Sequence, residues 1–391
     1  MAMKPSEFIL GIDFGTSNSC ATLRHPNGEI EIIKSDEYEE MFPSCVFLNK
    51  EGKLDLGLLA EQQALSEPSR FRDKLKRDLL EDKPIFLGSR KYEPYKLVAQ
   101  LLAYVKETAE RNRGRIEQVV LTVPAGYTSR EKGLMRRAAT EAGFREIDLL
   151  PEPVAAAMYY AQREKSDLEK GDYALVYDFG GGTFDVALLE KTETGYQFPG
   201  VQGSLSDCGG VDIDILIYQR ILAHCGEEFI NRLQSSDSDA EIRLHYELFD
   251  VARKRIKHNL TTKTEVFTML PYGLPVDSFS MKRVELNQLI EPLLQRTIQC
   301  CEQVIADAGL QPEDISLVLL VGGSSFIPLV RQLLEKTFAC TVVLAKKPHL
   351  AVCQGAALSI EPAPVEEAAP SPQPRADRFM AIPYNPNKGF F

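Results

Sequence analysis

Two short segments of the chain carry the same chemistry. An apolar run at residues 8–12 ends in Asp13-Phe14-Gly15-Thr16, and another at residues 173–177 ends in Asp178-Phe179-Gly180-Gly181-Gly182-Thr183-Phe184-Asp185. Glycines at a strand end let successive backbone N–H groups converge on an anion, because no Cβ blocks its approach. Two such turns suit a polyphosphate clamped from opposite sides. Asp13 and Asp178 at the strand ends supply the two carboxylates that a hydrated Mg²⁺ needs, since that ion keeps its waters and takes few protein ligands. Each turn alone also fits an ordinary hairpin, with glycine for positive φ and aspartate as a turn residue. Three consecutive glycines beside Thr183 and Asp185 favour the phosphate reading. A third cluster, Gly322-Gly323-Ser324-Ser325, joins an apolar strand to a helix start, where an anion or nucleoside can lie against the backbone. Gly209-Gly210-Val211-Asp212 has the same character, and by itself fits an Asp N-cap after a flexible loop equally well.

The elements that must position these turns alternate between strand and helix, the pattern of an α/β protein. Residues 8–12 and 20–23 form one hairpin, and residues 173–177 and 186–189 form another. Between them, Leu97, Leu101 and Val105 recur at helical spacing ahead of a stop at Gly114, and a strand at 119–123 is broken by Pro124. Thr128 with Glu131 makes a capping box that opens a helix ending at Gly143. A short strand at 147–150 and an alanine-rich helix at 154–164 complete the first half. The second half predicts helices at 212–228, 241–259, 285–308, 326–338 and 350–360, with a strand at 317–321. Asp13 and Asp178 lie 165 positions apart, which is a domain-length period and implies a duplicated fold whose halves present the same hairpin. From residue 361 the Pro-rich composition cannot support a core and reads as a disordered tail over 361–391. Within it, residues 379–391 hold Met380, Ile382, Tyr384 and two terminal Phe, and fit either a short docking motif or, more simply, an unstructured end.

Composition narrows the classes. The chain has 391 residues, 44% hydrophobic and 26% charged, which excludes collagen-like, coiled-coil and wholly disordered chains. Its net charge of −11 argues against nucleic acid as a partner. The eight cysteines form no CxxC pair, so reduced thiols in a cytoplasmic protein are expected rather than zinc or a disulfide framework. No signal peptide or bilayer-length apolar run is legible, so no membrane partner is expected. Cys300-Cys301 read as partly buried free thiols.

Taken in order, Gly11-Ile12-Asp13-Phe14-Gly15-Thr16-Ser17-Asn18-Ser19-Cys20, Leu121-Thr122-Val123-Pro124-Ala125, Glu152-Pro153-Val154-Ala155-Ala156-Ala157, Tyr177 to Asp185, Gly209-Gly210-Val211-Asp212-Ile213-Asp214 and Val321-Gly322-Gly323-Ser324-Ser325-Phe326-Ile327-Pro328 resemble the signatures of the nucleotide-binding domain of DnaK-type heat-shock chaperones. The likeness covers roughly residues 8–360. It implies an actin-like ATPase fold of two ribonuclease-H-like lobes, each with a smaller subdomain, and Mg-ATP in the central cleft. The implied divisions are lobe I over 1–170 with a subdomain near 36–96, lobe II over 171–348 with a subdomain near 213–284, and a helix at 349–360 packing back on lobe I.

Residue by residue, the resemblance implies that Asp13 and Asp178 hold Mg²⁺ through water. Glu152 and Asp185 would order the attacking water and the metal's water shell. Thr16, Thr183 and the backbone of Gly15, Ser17, Asn18, Gly180, Gly181, Gly182, Gly209 and Gly210 would contact phosphates. Gly322, Gly323 and Ser324 would line the adenosine side, with Lys257, His258, Thr261 and Phe326 around the base. Lys76, followed by Arg77, fits the family's phosphate-contacting lysine; Lys74 is the competing candidate, and both also fit a solvated basic helix face. K⁺ is a further candidate ion. Where the family sandwiches adenine between two arginines, His258 and Phe326 stand here, which implies stacking on rings. His258 equally fits an exposed helix residue. The segment Lys347-Pro348-His349-Leu350-Ala351-Val352-Cys353 lacks two acids of the family's pattern, and Lys132 stands where the family uses an arginine for interdomain signalling. No apolar linker or peptide-binding domain is legible after Ile360.

The function implied is a DnaK-like ATPase that binds and slowly hydrolyses Mg-ATP and signals by lobe closure to a protein partner: J-domain-like, exchange-factor-like or a separate substrate-binding chain. Alternatives are a nucleotide-dependent binding module with little hydrolysis, or an actin-like filament protein or sugar kinase. The Glu152-Pro153 and Gly-Gly-Gly-Thr-Phe-Asp segments favour the chaperone branch.

Overall fold

A computed structural model describes residues 8–81, 83–163, 168–193, 196–234 and 238–360. The tail at 361–391 and residue 164 of the alanine-rich helix lie outside the described residues.

Two large sheets dominate, and each is built around one of the glycine hairpins. In the first, Ile9–Asp13 runs antiparallel to Asn18–Arg24 and parallel to Gln118–Val123, which in turn pairs in parallel with Glu146–Pro151. In the second, Tyr173–Phe179 runs antiparallel to Phe184–Lys191 and parallel to Ile315–Val321, followed by Thr341–Leu344. The pairing scheme is the same twice. Strand registers place Asp13 opposite Cys20 and Asp178 opposite Asp185, so each acid sits at the turn end of its hairpin. The central strands are mostly apolar and buried over most of their length, as strands covered on both faces are. Small antiparallel sheets lie outside this frame: Val46–Leu48 with Leu54–Leu56 and Phe71–Arg72, and Glu265–Met269 with Ser278–Lys282.

Two helices rich in small residues join the sheets. Glu152–Arg163 and Ala351–Leu358 share a core with Ile9 and Val120 of one sheet and Val176, Leu319 and Val321 of the other. Their contact is backbone against backbone: a Cβ at Gly355 would come within 1.7 Å of the Ala155 carbonyl oxygen, and one at Gly11 within 2.4 Å of the Ala357 nitrogen. The alanines and glycines there are a packing requirement.

Most expected elements appear with modest shifts. The helix expected from Leu97, Leu101 and Val105 with a stop at Gly114 spans Pro94–Glu110, and the capping-box helix is Ser129–Glu141, with the Glu131 carboxylate accepting from the Thr128 N–H at 2.6 Å. The element expected at 212–228 is instead two helices, Gly210–Cys225 and Glu227–Gln234, because Gly226 turns the chain at φ +92°. The helix expected at 241–259 changes character: Asp239–Asp250 runs into a wider π-helical stretch, Val251–Lys257. Pro328 starts its helix two residues later than expected, after a 3₁₀ turn at Gly323–Phe326. All eight cysteines are free thiols, Cys301 buried and Cys300 partly so. No helix among the described residues is long and apolar enough to cross a membrane.

Candidate functional site

The turn ends of both hairpins face one cleft of about 460 Å³, within the usual size range for small-molecule sites. Gly15, Thr16, Ser17 and Asn18 line it from the first turn, and Gly180, Gly181, Gly182 and Thr183 from the second. Gly210 enters at the N-terminus of its helix; Lys257, His258 and Thr261 enter from the π-helical stretch and the turn beyond it; Gly322, Gly323, Ser324 and Phe326 come from the strand-to-helix turn. The two hairpin turns almost touch. A Cβ on Gly182 would lie 2.0 Å from Thr16 Oγ1, and one on Gly210 would lie 2.6 Å from Ser324 Oγ. Glycine is therefore needed at 182 and 210 for the approach of the walls as much as for a ligand.

Two expected site residues do not line the cleft. Gly209 sits behind Gly182, whose backbone would be within 2.6–2.8 Å of a Cβ there. Asp185 is 1% exposed; its Oδ1 accepts from the Ala125 N–H at 2.8 Å, which ties the loop after strand Gln118–Val123 to the second sheet. Between the two lysine candidates the geometry is one-sided. Lys74 precedes its helix at φ +59° and holds its ammonium over the Phe249 ring, 4.4 Å from the centroid. Lys76, 4% exposed, lines the cleft, and its Nζ lies 2.6 Å from Glu152 Oε1.

At the closed end, Asp13, Glu152, Asp178 and Asp185 gather around that single ammonium. Burial, then the Glu152 charge, pushes Asp13 up to about 6 despite Lys76 and a Thr122 hydrogen bond. Asp178 is raised well above the carboxylate range by burial and by Glu152, Asp185 and Asp13. Asp185 is pushed up to about 7, again by burial first and Glu152 second. Burial disfavours the Lys76 ammonium too, but Glu152, Tyr127 and Asp13 outweigh it and its pKa is raised. The cluster is short of positive charge, a state that low-dielectric surroundings make costly.

The wider end is different. Phe326 is 45% exposed at its wall, and His258 is held neutral, at about 4, by partial desolvation and by Lys257, Arg253 and Lys254. The buried pair Lys257–Asp214, 2.8 Å apart, closes the floor, with Lys257 also donating to the Gly210 carbonyl at 2.9 Å.

Several lining or bridging residues were not expected from sequence. Arg253 and Lys254 share a helical face with Lys257 and line the cleft, a signal present in their spacing. Glu61, from helix Leu58–Gln63, reaches across the mouth to Arg253 at 3.1 Å and Lys254 at 3.3 Å. Arg77 crosses the cleft to the Gly182 carbonyl at 2.9 Å and to Asp212 at 2.8 Å. Phe71 packs edge-on against Tyr246 beside them. Nothing local in the sequence marks these long-range partners. His349 and Pro348 also line the cleft, and the Gly322 N–H donates to the Pro348 carbonyl.

Two sheets with repeated topology, a hairpin turn of each in one cleft and helices crossing between them define the actin-like ATPase fold. The family model described as Hsp70 protein matches residues 9–85 and 81–361, and the chain belongs to that family. It is 31% identical over 370 residues to the chaperone protein DnaK of Thermosipho melanesiensis, 32% over 360 residues to that of Thermotoga petrophila and 30% over 366 residues to that of Methanothermobacter thermautotrophicus. Those alignments cover 90–93% of this chain and 59–60% of the relatives, so the chain spans about three fifths of the length of the curated relatives it matches.

Proposed function

We propose that this chain binds Mg-ATP in the cleft and hydrolyses it, with closure of two lobes as the output. The observation that carries the reading is the convergence of both Asp-bearing glycine turns on Lys76 and Glu152 in one cleft. Four buried carboxylates facing one ammonium suit a divalent cation, which would relieve the repulsion that raises Asp13, Asp178 and Asp185. No three His, Cys, Asp or Glu side chains among the described residues converge as direct metal ligands, so Asp13 and Asp178 would hold the ion through its waters. The bound ion would neutralise charge on the phosphates. Lys76 places a fixed positive charge at the same end, and Glu152, anchored by Lys76, presents a carboxylate to a water beside it. The backbone N–H groups of both glycine turns would hold the phosphates, and Phe326 and neutral His258 would flank the base.

The division into lobes at 1–170 and 171–348, with subdomains near 36–96 and 213–284, is proposed on the two sheets and their separate apolar cores. A protein partner that reads lobe closure, of the J-domain, exchange-factor or substrate-binding kind, and a cytoplasmic location belong to the same reading. The test is calorimetric titration with ATP and ADP in the presence and absence of Mg²⁺, paired with single-turnover hydrolysis. Wild type should bind in a Mg²⁺-dependent manner and turn over, and Asp13→Asn and Asp178→Asn should each weaken Mg-ATP use at least tenfold. Equal behaviour of wild type and both variants would sink the assignment; binding without turnover would leave a nucleotide-dependent binding module.

A further inference from the structure

One polar group beside Lys76 and Glu152 has no role in the reading above. Tyr127 is 7% exposed, on the turn between strand Gln118–Val123 and helix Ser129–Glu141, and its hydroxyl is buried without a hydrogen-bond partner among the described residues. An unpaired buried hydroxyl is costly, and a native fold keeps one only where something is gained. Its surroundings say what. The turn is fixed on both sides: the Tyr127 N–H donates to the Pro124 carbonyl at 3.1 Å, the Ala125 N–H donates to Asp185 Oδ1 at 2.8 Å, and the Ala125 carbonyl accepts from Gln202 at 3.0 Å. Asp185 Oδ2 is also buried and makes no hydrogen bond among the described residues, although the Ser204 hydroxyl lies close to that carboxylate. Lys76, Glu152, Glu131 and Asp185 are the charged groups that act on the phenol, with Lys76 the strongest of them. A phenol can donate and accept at once, which neither Lys76 nor an ionised carboxylate can do.

We propose that the Tyr127 hydroxyl is a positioning group for the hydrolytic water, hydrogen-bonding it together with Glu152. This rests on the hydrolytic reading of the cleft. In the step it serves, the water oxygen bonds to the γ-phosphorus as the bond to the β,γ-bridging oxygen breaks. That bond's electron pair leaves on ADP, and the water's protons pass to inorganic phosphate and solvent. Tyr127 stays protonated throughout and acts only on the orientation of the attacking oxygen.

The experiment compares wild type, Tyr127→Phe, Glu152→Gln and the double variant in single-turnover hydrolysis, Mg-ATP binding and apo thermal unfolding. Phenylalanine removes one oxygen and keeps the packing. The single-turnover rate should fall about tenfold or more, ATP affinity should stay within about twofold, and the apo Tm should hold or rise by about 2 °C. In the double variant the two losses should be less than multiplicative, because both residues act on one water. An unchanged rate in Tyr127→Phe with an active wild type overturns this proposal alone. A lowered apo Tm overturns it too, since the hydroxyl would then have a structural partner. A wild type that binds but never turns over removes the hydrolytic reading and this one with it.

Discussion

Replacing Asp185 by Asn should make the apo protein more stable, by an amount that depends on pH. Burial and the Glu152 charge hold Asp185 at about 7, against an ordinary value of 3.8. Because the folded pKa lies above the unfolded one, the fold binds this proton more tightly than the unfolded chain does. Stability from this group is complete below the unfolded value and is lost as pH rises to about 7. At about 1.4 kcal/mol per pKa unit, burying this carboxyl costs the fold about 4 kcal/mol at pH 8, where it is ionised, and about 2 kcal/mol at pH 5.5, where it is held protonated. Asparagine keeps an oxygen for the Ala125 N–H and removes the charge. For a chain of this size about 1.5 °C accompanies each kcal/mol, so Asp185→Asn should raise the apo Tm by about 6 °C at pH 8 and about 3 °C at pH 5.5. His258, held neutral at about 4, and the exposed carboxylates lowered by arginine or lysine partners titrate in both proteins and cancel in the difference. The assay is calorimetric or fluorescence-monitored melting of both proteins without nucleotide, across that range. A variant less stable than wild type at pH 8, or a gain that is the same at both pH values, would refute the reasoning.

Two further outcomes follow from the walls of the cleft. Glu61→Gln weakens the ion pairs that bridge the mouth to Arg253 and Lys254, so release of a fluorescent ADP analogue, followed by stopped flow, should accelerate about threefold to tenfold while the Tm changes little; an unchanged rate would mean the mouth is held by other contacts. Phe326→Ala removes a ring from the base end, and should cost about 1–2 kcal/mol of ATP affinity but leave inorganic tripolyphosphate binding unaltered, a difference calorimetry resolves.

Much of the frame was legible because its signals are local. An apolar strand running into Asp and glycine specifies a hairpin end, and finding that twice, one domain length apart, gave the repeated topology. Thr128 with Glu131 and the spacing of Leu97, Leu101 and Val105 set their helices by contacts within a few residues. The misjudgements fall where a distant partner or a single backbone torsion decides. Lys74 and Lys76 are equivalent as members of a basic stretch; only the fold turns one toward Phe249 and buries the other beside Glu152. Gly226 interrupts an apolar pattern that Phe229 and Leu233 carry on past it, so periodicity alone ran the helix through. Asp185 follows the glycine turn in sequence, yet the distant Ala125 N–H claims its Oδ1 and it stays outside the cleft lining. The Glu61 and Arg77 bridges join residues separated by more than a hundred positions, and no periodicity reports them.

The contact between Glu152–Arg163 and Ala351–Leu358 has a mechanical meaning. Where side chains interdigitate, one helix can slide past another by repacking; where bare backbones touch at Gly355 and Ala155, there is no layer of side chains to repack, and the low-resistance motion is a change of crossing angle about the point of contact. In the proposed closure the contact would serve as a pivot. Glu152 is the first residue of one of the two helices that meet there, four residues of chain from the reacting end of the cleft to the alanine-rich bearing surface. In the proposed closure, the carboxylate that would face the water and the fulcrum on which the sheets would turn are parts of one rigid lever, so the chemistry would not move without the gate.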